Sequence, residues 1–195
     1  MDVIEAIRSR RTIRHYLPDD VSEDNLKAVL EAAHWAPSWA NTQCTRFVVV
    51  RDVEIKAKLA ASLRPGNPAT EAMNQAPIFI ILCAELGKSG YTGGGNVTNR
   101  DNWKVSITDK GDWYMFDTAL AMQNLALAAH ALGLGTVIVG GFNPWEVAEI
   151  LNIPRGVEVV AMTPLGYPAK EAKQPSRLTL SEIVFRESYG KGFTS

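Results

Sequence analysis

Along the chain, short all-apolar runs alternate with segments whose apolar residues recur three and four positions apart, a pattern that predicts strands between helices. Asp2 can cap a first helix carrying Val3, Ile4 and Ile7. Ser22 opens a second, with Leu26, Val29, Leu30 and Ala33 at i, i+3, i+4 and i+7, and Pro37 ends it near Ala36. Phe47-Val48-Val49-Val50 reads as a strand buried on both faces. A third helix runs from about Val53 to Leu63. After the turn at Arg64-Pro65-Gly66 comes a short helix, with Asn67 as cap and Pro68 at its first position. Ile78 to Ala84 is a second buried strand. Trp113 to Leu132 is the longest helix, ringed by alanines and therefore expected to be buried on most sides. Gly133 and Gly135 read as its stop. Thr136 to Val139 is a third strand, Asn143 and Pro144 start a helix through Leu151, and Val157 to Leu165 is a fourth strand. The alternation gives an α/β or α+β sandwich.

Between these elements lie stretches that the pattern does not spend on the core. Pro37-Ser38-Trp39-Ala40-Asn41-Thr42-Gln43 is a loop rich in amides and hydroxyls. Residues 85–112 are polar and glycine-rich, long enough to expect a lid or binding loop. Residues 169–195 form a basic extension with no core of its own, expected to wrap a partner subunit.

Composition narrows the partners. The 195 residues are 46% hydrophobic and 21% charged, with a net charge of -1. That balance argues against a general nucleic-acid or membrane-surface binder. No apolar run reaches a membrane span and no signal-peptide pattern opens the chain. Cys44 and Cys83 have no CxxC spacing, and His15, His34 and His130 share no ligand spacing. The expectation is a single-domain cytoplasmic protein with no disulfide framework and no metal site.

Against that neutral background one stretch stands out: Arg8-Ser9-Arg10-Arg11-Thr12-Ile13-Arg14. Guanidinium groups this close repel one another, and a shared anion relieves the strain; each also offers a planar fork that matches a phosphate. No nucleophile–base–acid set accompanies them, and His130 on its Ala/Leu helix reads as a core or interface histidine. Gly133-Leu134-Gly135 lies between a helix and a strand, the wrong context for a dinucleotide fingerprint. An anion site, an amide-rich loop and a bare-backbone Gly140-Gly141 after a strand suit a bound cofactor that carries the chemistry itself.

Arg10-Arg11-Thr12-Ile13-Arg14, then Ala36-Pro37-Ser38-x-x-Asn41-x-Gln43, then Gly133-Leu134-Gly135-Thr136, then Leu165-Gly166-Tyr167-Pro168 resembles the FMN-dependent nitroreductase family over nearly the whole chain. The resemblance implies an α+β fold with a central mixed sheet flanked by helices, in an intertwined homodimer with FMN at the interface. It implies ping-pong transfer of electrons from NAD(P)H, through flavin N5, to a small aromatic acceptor such as a nitroaromatic or quinone. By the same resemblance Arg10, Arg11 and Thr12 hold the phosphate and ribityl side, and Arg14 reaches the pyrimidine edge, where a cation raises the potential. Pro37, Ser38, Asn41 and Gln43 match the loop that lines the flavin, generally across the interface. Ile138, Val139, Gly140 and Gly141 match the strand end passing the ring, with the Gly140 N–H toward N5. Arg177 matches the C-terminal basic residue on the phosphate, with Lys173 its nearest competitor. No side chain is assigned as catalytic.

Two other readings stay open. One is a reductive dehalogenase or flavin-destructase-like member of the same fold, whose lid would supply residues such as Glu85, Tyr91 and Lys104. The other is a flavin-binding protein without turnover. Trp35 and Trp39 read equally as interface packing or flavin neighbours, and Trp103, Trp113 and Tyr114 as packing near the lid.

Overall fold

A computed structural model describes residues 1–91 and 111–192. The expected lid at 85–112 therefore lies outside the described residues from 92 to 110. Among the described residues the chain runs α1 (Val3–Ser9), α2 (Glu23–His34), a 3-10 turn (Trp39–Asn41), β1 (Thr45–Val50), α3 (Val53–Ala61), α4 (Thr70–Gln75) and β2 (Ile78–Glu85). It continues through α5 (Tyr114–Ala131), β3 (Gly135–Thr136), α6 (Pro144–Ile150), β4 (Val157–Gly166) and α7 (Leu180–Ile183). The class is α+β, as expected.

The four strands form one sheet in the order β1-β2-β4-β3. The sheet was expected to be mixed; its strand pairs are all antiparallel, and a parallel contribution is confined to the bridge between Thr12 and Thr136. The period of two in β2 divides the core. Ile78, Ile80 and Leu82 face α2 and α5, packing with Val29, Leu125 and Ala129. Phe79, Ile81 and Cys83 face the opposite layer, with Leu59, Met73 and Val147. Each such fully buried large side chain contributes about 1.5–3 kcal/mol.

Several expectations change. β1 is an edge strand, so Phe47, Val48 and Val49 are not buried on both faces. α5 buries one face (Asp117, Thr118, Ala121, Met122, Leu125, Ala126, Ala129), while Met115 and Phe116 stay exposed in the single chain. The strand expected over Thr136–Val139 is two residues long. After Gly135↔Gly166 and Thr136↔Leu165 the next partner is Pro164, which has no N–H to donate; pairing resumes only as the Val139–Met162 bridge. α4 starts at Thr70 rather than Pro68, because Asn67 closes a tighter turn, accepting the Ala69 N–H at 2.9 Å.

The glycines after α5 have separate jobs. Gly133 has φ +77° and ends the helix, with the Leu134 N–H returning to the Ala129 carbonyl at 2.8 Å. Gly135 is no helix stop: a Cβ there would lie 2.7 Å from Ile13. It lets the arginine stretch lie against the sheet, where the Ile13 N–H donates to the Thr136 carbonyl at 2.9 Å.

Candidate functional site

The sheet edge fixes the C-terminal end of the arginine stretch. Ile13 is tied to Thr136, and beyond it Tyr16 bridges to Pro168 while the Tyr16 N–H donates to Gln75 Oε1. Arg14 between these anchors, and Ile7, Arg8, Arg10, Arg11 and Thr12 before them, line a cavity of about 1020 Å³ together with Ala172, Lys173, Gln174, Pro175 and Arg177. Among the described residues no carboxylate lines it. Among the described residues no Asp or Glu comes within 4 Å of Arg8, Arg10, Arg14, Lys173 or Arg177. Burial, then Arg11 and Arg177, push the Arg10 guanidinium below its usual value, the sign of cations crowded without an anion. Both contenders for the C-terminal basic position, Arg177 and Lys173, thus face the cluster.

The cluster is not uniform. Arg11 turns one nitrogen back onto the Arg8 and Arg10 carbonyls, at 2.7 and 2.8 Å. Arg8 is exposed and lines the same cavity. Arg14 is exposed. His15 is engaged by Glu71 at 3.0 Å, and the same oxygen accepts from Gln75 at 2.9 Å.

Behind the cluster Ser9 donates to the Glu5 carbonyl at 2.7 Å and meets His130 Nε2, also at 2.7 Å. His130 is therefore neither a core residue nor a free base. Since the Ser9 proton goes to Glu5, the imidazole Nε2 supplies the donor. Burial first, then Arg10 and Arg11, lower its pKa, with Glu5 opposing. A histidine held below its unfolded value of about 6.5 takes up fewer protons when folded, so stability falls as pH drops through that value. His130→Gln keeps a donor for Ser9 and should flatten the denaturation midpoint between pH 7 and 5.5 relative to wild type; an unchanged slope would remove His130 as its source.

The amide-rich loop is a second, separate feature. Ala40, Asn41 and Gln43 all have left-handed backbones, with φ of 45°, 55° and 49°. For the alanine and the glutamine that conformation costs about 1–2 kcal/mol each. Three side chains hold it, one of them Arg46, whose guanidinium donates to the Gln43 carbonyl at 2.7 Å. Ser38 Oγ accepts the Gln43 N–H at 2.9 Å, and Asp117 Oδ1 accepts the Trp39 N–H at 3.1 Å. Cys44 donates its thiol to Asp117 Oδ2 at 3.5 Å. Burial, then the Asp117 charge, push that thiol up to about 12, so it is no nucleophile. Pro37, Ser38 and Gln43 share a small cavity of about 200 Å³ with Asp117 and Arg46, lined by none of the Arg8–Arg14 cluster; Asn41 is exposed. Within one chain the loop and the cluster do not line a common cavity. Sequence reasoning passed over Asp117, although a lone acid among the apolar residues of α5 was the available signal.

Ile138 and Gly140 are exposed at the end of the sheet, while Val139 is buried. Nothing lies within 4 Å of where a Gly140 Cβ would stand, so a planar group can reach the backbone there. The Gly141 carbonyl is fixed by the Arg64 N–H at 3.0 Å and by Asn67 Nδ2 at 2.9 Å. Trp35 is 76% exposed and Trp39 half-buried, and Trp113 meets Phe116 edge-on at 5.2 Å. Trp103 and Lys104 lie outside the described residues.

Comparison with known proteins places the chain among relatives. The model described as "Nitroreductase family" matches residues 7–167. An FMN reductase [NAD(P)H] of Bacillus subtilis is 30% identical over 193 residues, spanning 96% of this chain and 74% of that protein. A protein of Thermus thermophilus named NADH dehydrogenase is 32% identical over 199 residues, 94% and 95% of the two chains. The crystal structure of a nitroreductase family protein from Streptococcus pneumoniae superposes with a TM-score of 0.80 at 25% identity, covering 95% of this chain and all of that one.

Proposed function

This chain belongs to the nitroreductase family, and we propose that it is an FMN-dependent oxidoreductase that draws electrons from NAD(P)H and delivers them to a nitroaromatic, quinone or similar small acceptor. The observation that carries this reading is the cationic cavity with no acid on its wall. Its donor set suits the dianionic phosphate of FMN: Arg10 and Arg177 as opposed forks, Thr12 as a hydroxyl beside them, and Arg11 with part of its guanidinium already bound to backbone. Arg14 is left for the pyrimidine edge. Gly140 offers an open backbone for the ring, with Gly141 next to it packed on Asn67, and Pro37, Ser38, Asn41 and Gln43 offer neutral donors and acceptors from a partner subunit. When bound, FMN supplies the chemistry, accepting a hydride from the nicotinamide and passing electrons on in a second half-reaction. The chain's own part is to hold the phosphate, to set the charge at the ring edge and to leave one ring face open for donor and acceptor in turn.

A homodimer is part of the proposal. Val3, Ile4, Ile7, Phe116, Ile138, Leu178, Leu180 and Ile183 are all more than half exposed in the single chain. That is more apolar surface than scattered singletons account for, and it borders both the cluster and the tail. The chain acts as one domain, with the extension after residue 168 crossing to the partner.

The dehalogenase-like alternative needs Glu85 free to clamp a substrate. Here Arg46 at 2.9 Å and Lys88 already hold it, which favours the first reading. Purified protein should carry one FMN per chain, and anaerobic NADH or NADPH should bleach its visible absorption. Protein that takes up no FMN would overturn the proposal, and FMN that neither nicotinamide reduces would replace it with flavin binding without turnover.

A further inference from the structure

We propose that Asp117 is a positioning residue: from the first turn of α5 it holds the 38–43 loop in its left-handed course and so sets how firmly the loop grips the flavin of the partner subunit. The loop's grip on FMN rests on the function proposed above; the restraint by Asp117 does not.

Asp117 is 2% exposed, and no cation lies within 4 Å of its carboxylate among the described residues. A buried carboxylate without a counter-ion is costly unless hydrogen bonds and a favourable dipole replace water. Here both are present. The carboxylate sits in the first turn of α5, at the positive end of the helix, and it accepts from the Trp39 N–H and the Cys44 thiol. These two partners bracket the loop. Between them the chain must turn through the left-handed residues Ala40, Asn41 and Gln43, none of them glycine. Such a course relaxes unless its ends are pinned. Ser38 closes the loop on itself through the Gln43 N–H, and Arg46 of β1 holds its end at the Gln43 carbonyl; among the described residues Asp117 is the side chain that ties its start, at Trp39, to the core. A charged acceptor makes this tie stronger than a neutral one.

Two readouts separate the halves of the proposal. In the protein freed of FMN, Asp117→Ala should speed amide hydrogen exchange at Trp39 and Gln43 by about tenfold or more, with the exchange of β2 unchanged. In the loaded dimer it should weaken FMN binding by about tenfold and alter the visible circular dichroism of the ring. Asp117→Asn keeps an oxygen for the Trp39 N–H and should stay within about threefold of wild type. Ala40→Gly removes the strain at one left-handed position and should recover part of the affinity lost in Asp117→Ala, while changing the wild type little. Should Asp117→Ala fail to fold, Asp117→Ser, too short to reach Trp39, takes its place. Unchanged exchange at Trp39 in the alanine or serine variant overturns the restraint. Unchanged FMN affinity, or an Ala40→Gly double variant no better than Asp117→Ala, overturns the link from restraint to grip. Wild-type protein that binds no FMN overturns the functional reading instead, and the exchange experiment still decides the restraint.

Discussion

Replacing Arg10 by alanine should weaken FMN binding by about 10- to 100-fold and leave the flavin's midpoint potential almost unchanged. Arg10 is half-buried, faces Arg177 across the cavity and has no carboxylate partner among the described residues. The anion-free cluster is therefore a charged receptor already assembled, whose cations repel one another until a phosphate enters. A hydrogen bond to a charged group is worth about 1.5–3 kcal/mol, which sets the fold-change. Because Arg10 and Arg177 are coupled through the same anion, Arg10→Ala and Arg177→Ala should not add. Fluorescence-quenching titrations with FMN and with riboflavin separate phosphate recognition from a general defect. Riboflavin has no phosphate, so its affinity should hardly respond to Arg10→Ala; an equal loss for both ligands would mean that Arg10 supports the site rather than binding the phosphate.

What could be read from the sequence, and what could not, follows the range of the interactions. Asp2, Ser22 and Asn143 cap their helices through the N–H groups of Glu5, Asn25 and Glu146, all local contacts. The α+β class and the arginine stretch were legible for the same reason. The length of β3 was not, because Pro164, which interrupts it, lies 28 positions from Thr136 in sequence. Gly135 was misread because its crowding neighbour, Ile13, comes from the other end of the chain. Asp117 escaped notice because the loop it restrains lies 78 positions away. The even spread of apolar residues around α5 was visible as a pattern, but a single chain covers only one of its faces.

Arg14→Ala should do the reverse of Arg10→Ala: lower the potential of bound FMN by roughly 30–60 mV and change its affinity only a few-fold. The parallel bridge at Thr12 sends the chain toward Arg14 in the same direction as the chain running from Thr136 toward Ile138 and Gly140. That carries the chain at Arg14 in the direction in which the open backbone of Gly140 lies. Among the described residues its guanidinium has no acceptor, and Glu71 on α4 is occupied by His15 and Gln75. A cation with no internal partner acts on whatever negative charge develops beside it, and on reduction that charge develops at the pyrimidine edge. The favoured state is then the reduced one, which is a shift in potential; a phosphate contact would favour both redox states alike and shift only affinity. For a two-electron couple 30 mV corresponds to about 1.4 kcal/mol, and the exposure of Arg14 keeps the expected value near that figure rather than several times larger. Arg14→Lys, which retains the charge, should restore most of the potential. Redox titration of the loaded protein against a reference dye measures each value, and equal effects of Arg10→Ala and Arg14→Ala on both potential and affinity would show that the cluster acts as one undivided anion site.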